Sequence, residues 1–142
     1  MKNKVAIIIP VFNTEQYLNE CLNSVCNQTM QELEILCVYT ESKDKSLEML
    51  QKFEKKDNRV RIIRRDDGGL GGARNEGLKH VNSNYVFFLD SDDFVAKNAI
   101  EELYNKATEE NSDMVIFPFY SYNETTKKVE KNSWGNTLNF NK

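Results

Sequence analysis

Residues Val5-Ala-Ile-Ile-Ile9 are apolar at five consecutive positions, four of them β-branched. A strand with one face in water alternates apolar with polar. A continuous run of this kind is a strand covered on both faces, which is the mark of a parallel sheet between two layers of helices. Pro10-Val-Phe-Asn13 ends the run. Asn13 is placed to cap a first helix, with Gln16 three residues on completing a capping box. Tyr17, Leu18, Cys21, Leu22 and Val25 then recur at helical spacing and give that helix one apolar face.

The same alternation continues down the chain. Leu33 to Tyr39 reads as a second strand. Asp44 caps a second helix with Leu47, Leu50 and Phe53 inward, and Val60, Ile62 and Ile63 mark a third strand. Four glycines between Gly68 and Gly72 form a loop able to bring backbone close to a ligand. A helix bearing Leu70, Ala73, Leu78 and Val81 starts in or just after it, with Arg74 near its first turn, where a guanidinium beside helix-start N–H groups suits an anion. Tyr85 to Leu89 is a fourth strand, Ile100, Leu103, Tyr104 and Ala107 face inward from a fourth helix, and Met114 to Phe117 is a fifth strand. The predicted class is α/β, Rossmann-like: a mainly parallel central sheet with helices on both faces. One domain covers residues 1–117. Residues 118–142 form a polar tail whose Tyr120, Tyr122, Trp134 and Phe140 belong to an edge hairpin, an acceptor groove or the frayed start of something longer.

The fourth strand ends in Asp90-Ser-Asp-Asp93. Three carboxylates within four residues repel one another unless a cation is present. In open α/β sheets ligands bind beyond the carboxyl ends of strands, and D-x-D there suits a hard divalent cation with oxygen ligands. The plain alternative is an Asp-rich turn that caps the next helix.

Other features narrow the class. A net charge of −3 with both signs interspersed leaves no basic footprint for nucleic acid. No apolar run approaches the ~20 residues of a membrane span, and the short N-terminal run before Pro10 is a strand rather than a secretory signal. Asn123-Glu-Thr125 matches a glycosylation sequon, to which the lack of such a signal gives little weight. Cys21, Cys26 and Cys37, odd in number and without C-x-x-C spacing, read as reduced thiols of a cytosolic protein. His80 reads as surface filler. The full G-x-G-x-x-G of dinucleotide folds is absent, since Arg74 stands at the sixth position. The glycine- and lysine-rich loop of a nucleotidyltransferase is missing after the first strand.

Five pieces together resemble one family. They are Ile7-Ile-Ile-Pro-Val-Phe-Asn13 with Glu15; Tyr17-Leu; Cys21-Leu22-x-Ser24-Val-x-x-Gln28-Thr29; Gly68-Gly-Leu-x-x-Ala73-Arg-Asn-x-Gly77; and Phe88-Leu-Asp-Ser-Asp-Asp93. The set resembles the nucleotide-binding, N-terminal half of family 2 glycosyltransferases, which have the A-type glycosyltransferase fold. The resemblance runs from about Val5 to Phe117. It implies a nucleotide-sugar donor, often a UDP-sugar, transferred with inversion to a glycan or lipid-linked acceptor in cell-envelope polysaccharide biosynthesis. It implies that Pro10, Val11, Phe12 and Glu15 border the nucleoside pocket and that Arg74, with the loop before it, faces the nucleotide. It further implies that Asp90 and Asp92, flanking Ser91, are the D-x-D for Mn²⁺ or Mg²⁺, Asp92 foremost. The expected location is cytoplasmic, including the inner face of the membrane.

The chain departs from the family pattern in two ways. Where the family has an acidic pair, then Gly-Ser, then an acid two residues on, this chain reads Val38-Tyr-Thr-Glu-Ser-Lys-Asp44. Thr40 replaces the carboxylate that meets the base and offers a single neutral hydroxyl instead. Asp67 replaces the usual Asn before the glycines and adds negative charge near the phosphates. The second departure is length. The family's catalytic base lies well downstream of the D-x-D, and no residue here matches it; Glu124 and Glu130 read as solvated. The alternative function is therefore a non-catalytic or truncated nucleotide-sugar-binding module. A homo-oligomer or a missing C-terminal half would complete it.

Overall fold

The computed structural model describes residues 3–66 and 69–131. Its elements are β1 (Val5–Val11), α1 (Glu15–Cys26), β2 (Leu33–Thr40), α2 (Ser46–Lys56), β3 (Val60–Arg65), α3 (Gly69–Leu78), β4 (Tyr85–Phe88), α4 (Ala99–Glu109), β5 (Tyr120–Tyr122) and β6 (Val129–Lys131). The first four strands form one parallel sheet in the order β3-β2-β1-β4. The run Val5–Ile9 is thus central. It pairs with β2 on one side, Val5 opposite Leu33, and with β4 on the other, Val5 opposite Tyr85.

Side-chain alternation along these strands sends odd-numbered residues of β1 to one layer and even-numbered ones to the other. Val5, Ile7, Ile9 and Val11 pack with Leu18, Cys21, Leu22 and Val25 of α1, Leu50 of α2 and Ile100 of α4. Ile8, with Leu36 and Val38 of β2 and Ile63 of β3, packs against Ala73 of α3. Helices therefore cover both faces, which is why β1 contains no polar side chain. Each fully buried Leu, Ile or Val contributes about 1.5–3 kcal/mol of transfer free energy.

Two local expectations are corrected. Asn13 does not cap α1. It adopts a left-handed turn (φ 50°), which Asn tolerates, and Thr14 takes the cap position. The stretch 114–117 forms no strand: Met114, Ile116 and Phe117 are exposed and no described strand pairs with them. A strand needs a partner ladder, and the next pairing is a separate antiparallel hairpin, Tyr120 opposite Lys131 and Tyr122 opposite Val129. Tyr120 and Tyr122 lie exposed on that hairpin, as does Glu130. Trp134 and Phe140 lie outside the described residues, and so does Asp67. The chain divides into two compact units, Met1–Asn105 and Lys106–Lys142. The four-stranded sheet lies in the first and the hairpin in the second.

No helix among the described residues is long and apolar enough to cross a membrane.

Candidate functional site

A cavity of about 500 Å³ opens at the carboxyl ends of β1, β2 and β4. The parallel sheet dictates this place, because adjacent strands end together there and their loops diverge. Pro10, Val11, Phe12 and Thr14 line it from the β1–α1 connection, Thr40 from the end of β2, and Asp90, Ser91 and Asp92 from the turn after β4. Gly69, Leu70 and Ala73 of α3 close the remaining wall. Phe12 is 58% exposed, so its ring is offered to the cavity rather than to the core. Pro10 and Ser91 are buried.

The structure thus brings together Pro10, Val11, Phe12, Thr40, Asp90, Ser91 and Asp92. Glu15 and Arg74 do not line the cavity. The Glu15 carboxylate accepts the Lys45 N–H at 3.0 Å, and the Glu15 N–H donates to Asp44 Oδ2 at 2.9 Å. Asp44 in turn accepts from Ser46 N–H at 3.0 Å, but it stands one residue before the cap position of α2, which Lys45 takes, so the expected cap is displaced by one residue. Burial works against ionising Asp44, but these hydrogen bonds prevail and hold its carboxyl below the usual range.

Arg74 lies on the second turn of α3, not the first, because the helix begins at Gly69 within the glycine run. Its Nη2 donates to Asp90 Oδ1 at 2.6 Å, a charge-assisted bond, and its guanidinium lies 6.0 Å from the centre of the Phe88 ring. Its Nε is buried without a partner. Gly69 carries a positive φ of 58° where α3 begins. Gly69, Leu70 and Ala73 belong to the stretch before Arg74 that the resemblance turns toward the nucleotide, whereas Thr14 is a cavity residue that the sequence reading does not name. Thr14 is the signal within reach: it stands between Phe12 and Glu15 in a connection already placed at the strand end. Its Oγ1 is buried and unpartnered.

The acidic turn is electrostatically crowded. Burial, then the charges of Asp92 and Asp90, raises the Asp93 carboxyl above its ordinary range. Burial first, and the same three carboxylates after it, push the Cys21 thiol up to about 12. Cys26 is likewise pushed up to about 12 by burial and then by Asp57, and Cys37 rises with complete burial. All three cysteines are free thiols. A divalent cation would relieve the crowding. Among the described residues no group of three or more His, Cys, Asp and Glu side chains is arranged to hold a metal by itself. Asp90 and Asp92, all-oxygen donors on the cavity wall, fit the mode in which a hard cation takes one or two carboxylates and completes its shell with substrate phosphates.

A family model described as Glycosyl transferase family 2 matches residues 6–142. Glycosyltransferase GlyA of Streptococcus pneumoniae serotype 4 is 40% identical over 123 residues, which cover 87% of this chain and 18% of that protein. The poly(ribitol-phosphate) beta-glucosyltransferase of Bacillus spizizenii is 40% identical over 117 residues, 80% of this chain and 18% of that protein. Among solved structures, S. aureus TarS 1–349 in complex with UDP-GlcNAc matches with a TM-score of 0.72 at 32% identity, over 78% of this chain and 32% of that one. The chain spans about a fifth of the length of these two curated relatives.

Proposed function

The chain belongs to glycosyl transferase family 2 and has the A-type glycosyltransferase fold, and from that premise we propose that it binds a UDP-sugar in this cavity for transfer of the sugar. The observation that carries the reading is the convergence of Phe12, Thr40, Asp90 and Asp92 on one cavity of nucleotide size. Phe12 offers an apolar face to the base, and Thr40 one hydroxyl to its edge. Asp92, with the Asp90 oxygen that Arg74 leaves, would hold Mn²⁺ or Mg²⁺, which supplies positive charge where the diphosphate leaving group gains negative charge. Arg74 orients Asp90 through their 2.6 Å ion pair. Both carboxylates on the cavity wall are thereby engaged, so an acceptor hydroxyl attacking with inversion gives its proton to a base other than these two. The proposed acceptor is a hydroxyl of a cell-envelope glycan or lipid-linked saccharide; one relative is named for a hydroxyl-bearing polymer of another kind, poly(ribitol-phosphate). Cytoplasmic location agrees with three free thiols.

Calorimetric titration with UDP, GDP and UDP-GlcNAc, with and without Mn²⁺, tests the reading. Manganese-dependent binding of the uridine nucleotides, tighter than that of GDP, is the expected result. Equal affinities with and without the cation, or no binding at all, would refute it. Release of UDP from UDP-GlcNAc in the presence of candidate acceptors then separates transfer from binding alone.

A further inference from the structure

Between Phe88 and Ala99 the chain forms neither helix nor strand, yet this segment carries Asp90 and Asp92. What holds it is α1 together with Gln28 and Thr29 in the connection that follows it. Cys21 Sγ donates to the Asp90 carbonyl at 3.7 Å. The Val95 N–H donates to Ser24 Oγ at 3.2 Å, and that hydroxyl donates to the Cys21 carbonyl at 2.7 Å. Gln28 Nε2 donates to the Ala96 carbonyl at 2.7 Å and to the Ser24 carbonyl at 2.9 Å, while its Oε1 accepts from the Ile100 N–H at 3.1 Å. The Thr29 N–H donates to the Lys97 carbonyl at 2.9 Å.

Cys21 and Ser24 are spaced three apart on one face of α1, and Gln28 follows two residues beyond the helix end at Cys26. Gln28 is 1% exposed. A buried amide costs free energy unless bonded, and this one makes three bonds, one to Ala96 of the segment after β4 and one to Ile100 in the first turn of α4. Leu18, Leu22 and Val25 show that α1 otherwise buries apolar side chains. The polar side chains stand where the end of α1 and its following connection meet an irregular segment whose backbone groups need partners. That segment also holds the mutually repelling carboxylates, which tend to spread unless their backbone is fixed.

We propose that Ser24 and Gln28 are positioning residues for the donor site: through Val95, Ala96 and Ile100 they hold the turn that presents Asp90 and Asp92 to the cavity. The proposal rests on the donor-site reading above and assigns a role to two residues that do not line the cavity. Outer residues that orient ligating groups typically change metal affinity 10–100-fold when removed.

Three variants test it. Ser24→Ala removes the acceptor for the Val95 N–H, Ser24→Thr retains a hydroxyl, and Gln28→Met keeps the volume while deleting all three bonds. Two measurements apply: amide exchange of residues 90–97 in the free chain, and calorimetric titration of UDP over a series of Mn²⁺ concentrations. In Ser24→Ala, exchange across 90–97 accelerates. The Mn²⁺ concentration at half-maximal UDP binding rises about tenfold, and UDP affinity without Mn²⁺ stays at the parent value. Ser24→Thr restores the parent behaviour, and Gln28→Met shifts further in the same direction. Unchanged Mn²⁺ half-saturation in Ser24→Ala overturns the positioning role, whether or not Gln28→Met folds. A parent chain whose UDP binding ignores Mn²⁺ overturns instead the donor-site reading on which the role depends.

Discussion

Gly77→Ala tests how tightly α3, and with it one wall of the cavity, is seated on the sheet. A Cβ at Gly77 would lie 2.6 Å from Ile8 Cγ2 and 3.2 Å from both Cγ1 and Cδ1. Ordinary carbon–carbon contacts are about 3.5–4.0 Å. Ile8 cannot give way: it is fully buried, stiff at χ1 and on a strand paired on both sides. The helix must lift instead. Overpacking of this kind costs about 1–3 kcal/mol, whereas Ala in place of a helical Gly gains about 1 kcal/mol. The net expectation is a loss of about 1 kcal/mol, together with weaker UDP binding, because Gly69, Leu70 and Ala73 of the lifted helix line the cavity. Urea unfolding in a double-mutant cycle isolates the contact. Ile8→Ala alone costs about 2–5 kcal/mol. In that background the clash is gone and only the helix-propensity gain remains, so Gly77→Ala there should stabilise. Gly77→Ala with the same sign and size in both backgrounds would refute the argument.

Other expectations follow from single residues. Asp92→Ala removes the metal-dependent part of UDP binding, roughly tenfold or more (1.4 kcal/mol), with stability within about 0.5 kcal/mol of the parent; unchanged affinity at saturating Mn²⁺ would contradict the assignment. Thr40→Asp exchanges a neutral hydrogen bond for a charge-assisted one and should tighten uridine nucleotide binding by about 1 kcal/mol, some fivefold; calorimetry showing no gain would mean a pocket adapted to the hydroxyl. Asp57 accepts from Arg59 Nε at 3.0 Å and Nη2 at 2.7 Å, and this pairing holds its carboxyl below the usual range despite partial burial. A depressed carboxylate contributes stability above its unfolded pKa of about 3.9 that is lost as pH falls through the folded value. Asp57→Asn should therefore cost about 1–3 kcal/mol at pH 7 and progressively less below pH 4, and thermal midpoints that differ equally at pH 7 and pH 2 would exclude this pairing as the cause.

The strands were legible in the sequence because burial on both faces leaves an unbroken β-branched run, as in Val5–Ile9, and no polar position can interrupt it. The acidic turn was legible because carboxylates at a strand end have few structural reasons to cluster. Asn13 misled because a capping box is a local pattern, whereas its actual partners, Ser42 and Lys43, lie 29 and 30 residues away. The start of α3 was obscured by its glycines. Their composition reads as loop, yet four of the helix's first nine positions are glycine, and Gly77 is required by the approach of Ile8. That displaced Arg74 by a turn and brought it to Asp90. The stretch 114–117 has strand composition, but composition does not supply a partner strand.

Neither α1 nor α2 has a side-chain cap of its own, and the reason bears on Thr40. Most of the amides around the two helix starts are satisfied from the other's loop, Ser46 N–H excepted, which donates to Asp44. Asn13 N–H donates to Ser42 Oγ at 3.0 Å and Lys43 N–H to Asn13 Oδ1 at 2.8 Å. Thr14 N–H donates to Ser46 Oγ at 3.2 Å, and Glu15 and Asp44 exchange roles across the gap. These pairs satisfy amides that a helix terminus leaves open. They also fix the separation of the two connections that present Phe12, Thr14 and Thr40 to the cavity. Glu15 thus acts as a strut behind the wall. Ser42 and Asp44, which keep the family pattern, are the members of the second loop whose side chains make these bonds. Thr40 and Glu41, which depart from it, are not. These bonds do not involve the Thr40 side chain, so under the proposed reading Thr40→Asp places a carboxylate into an intact scaffold, and its effect on uridine affinity reads out recognition rather than folding.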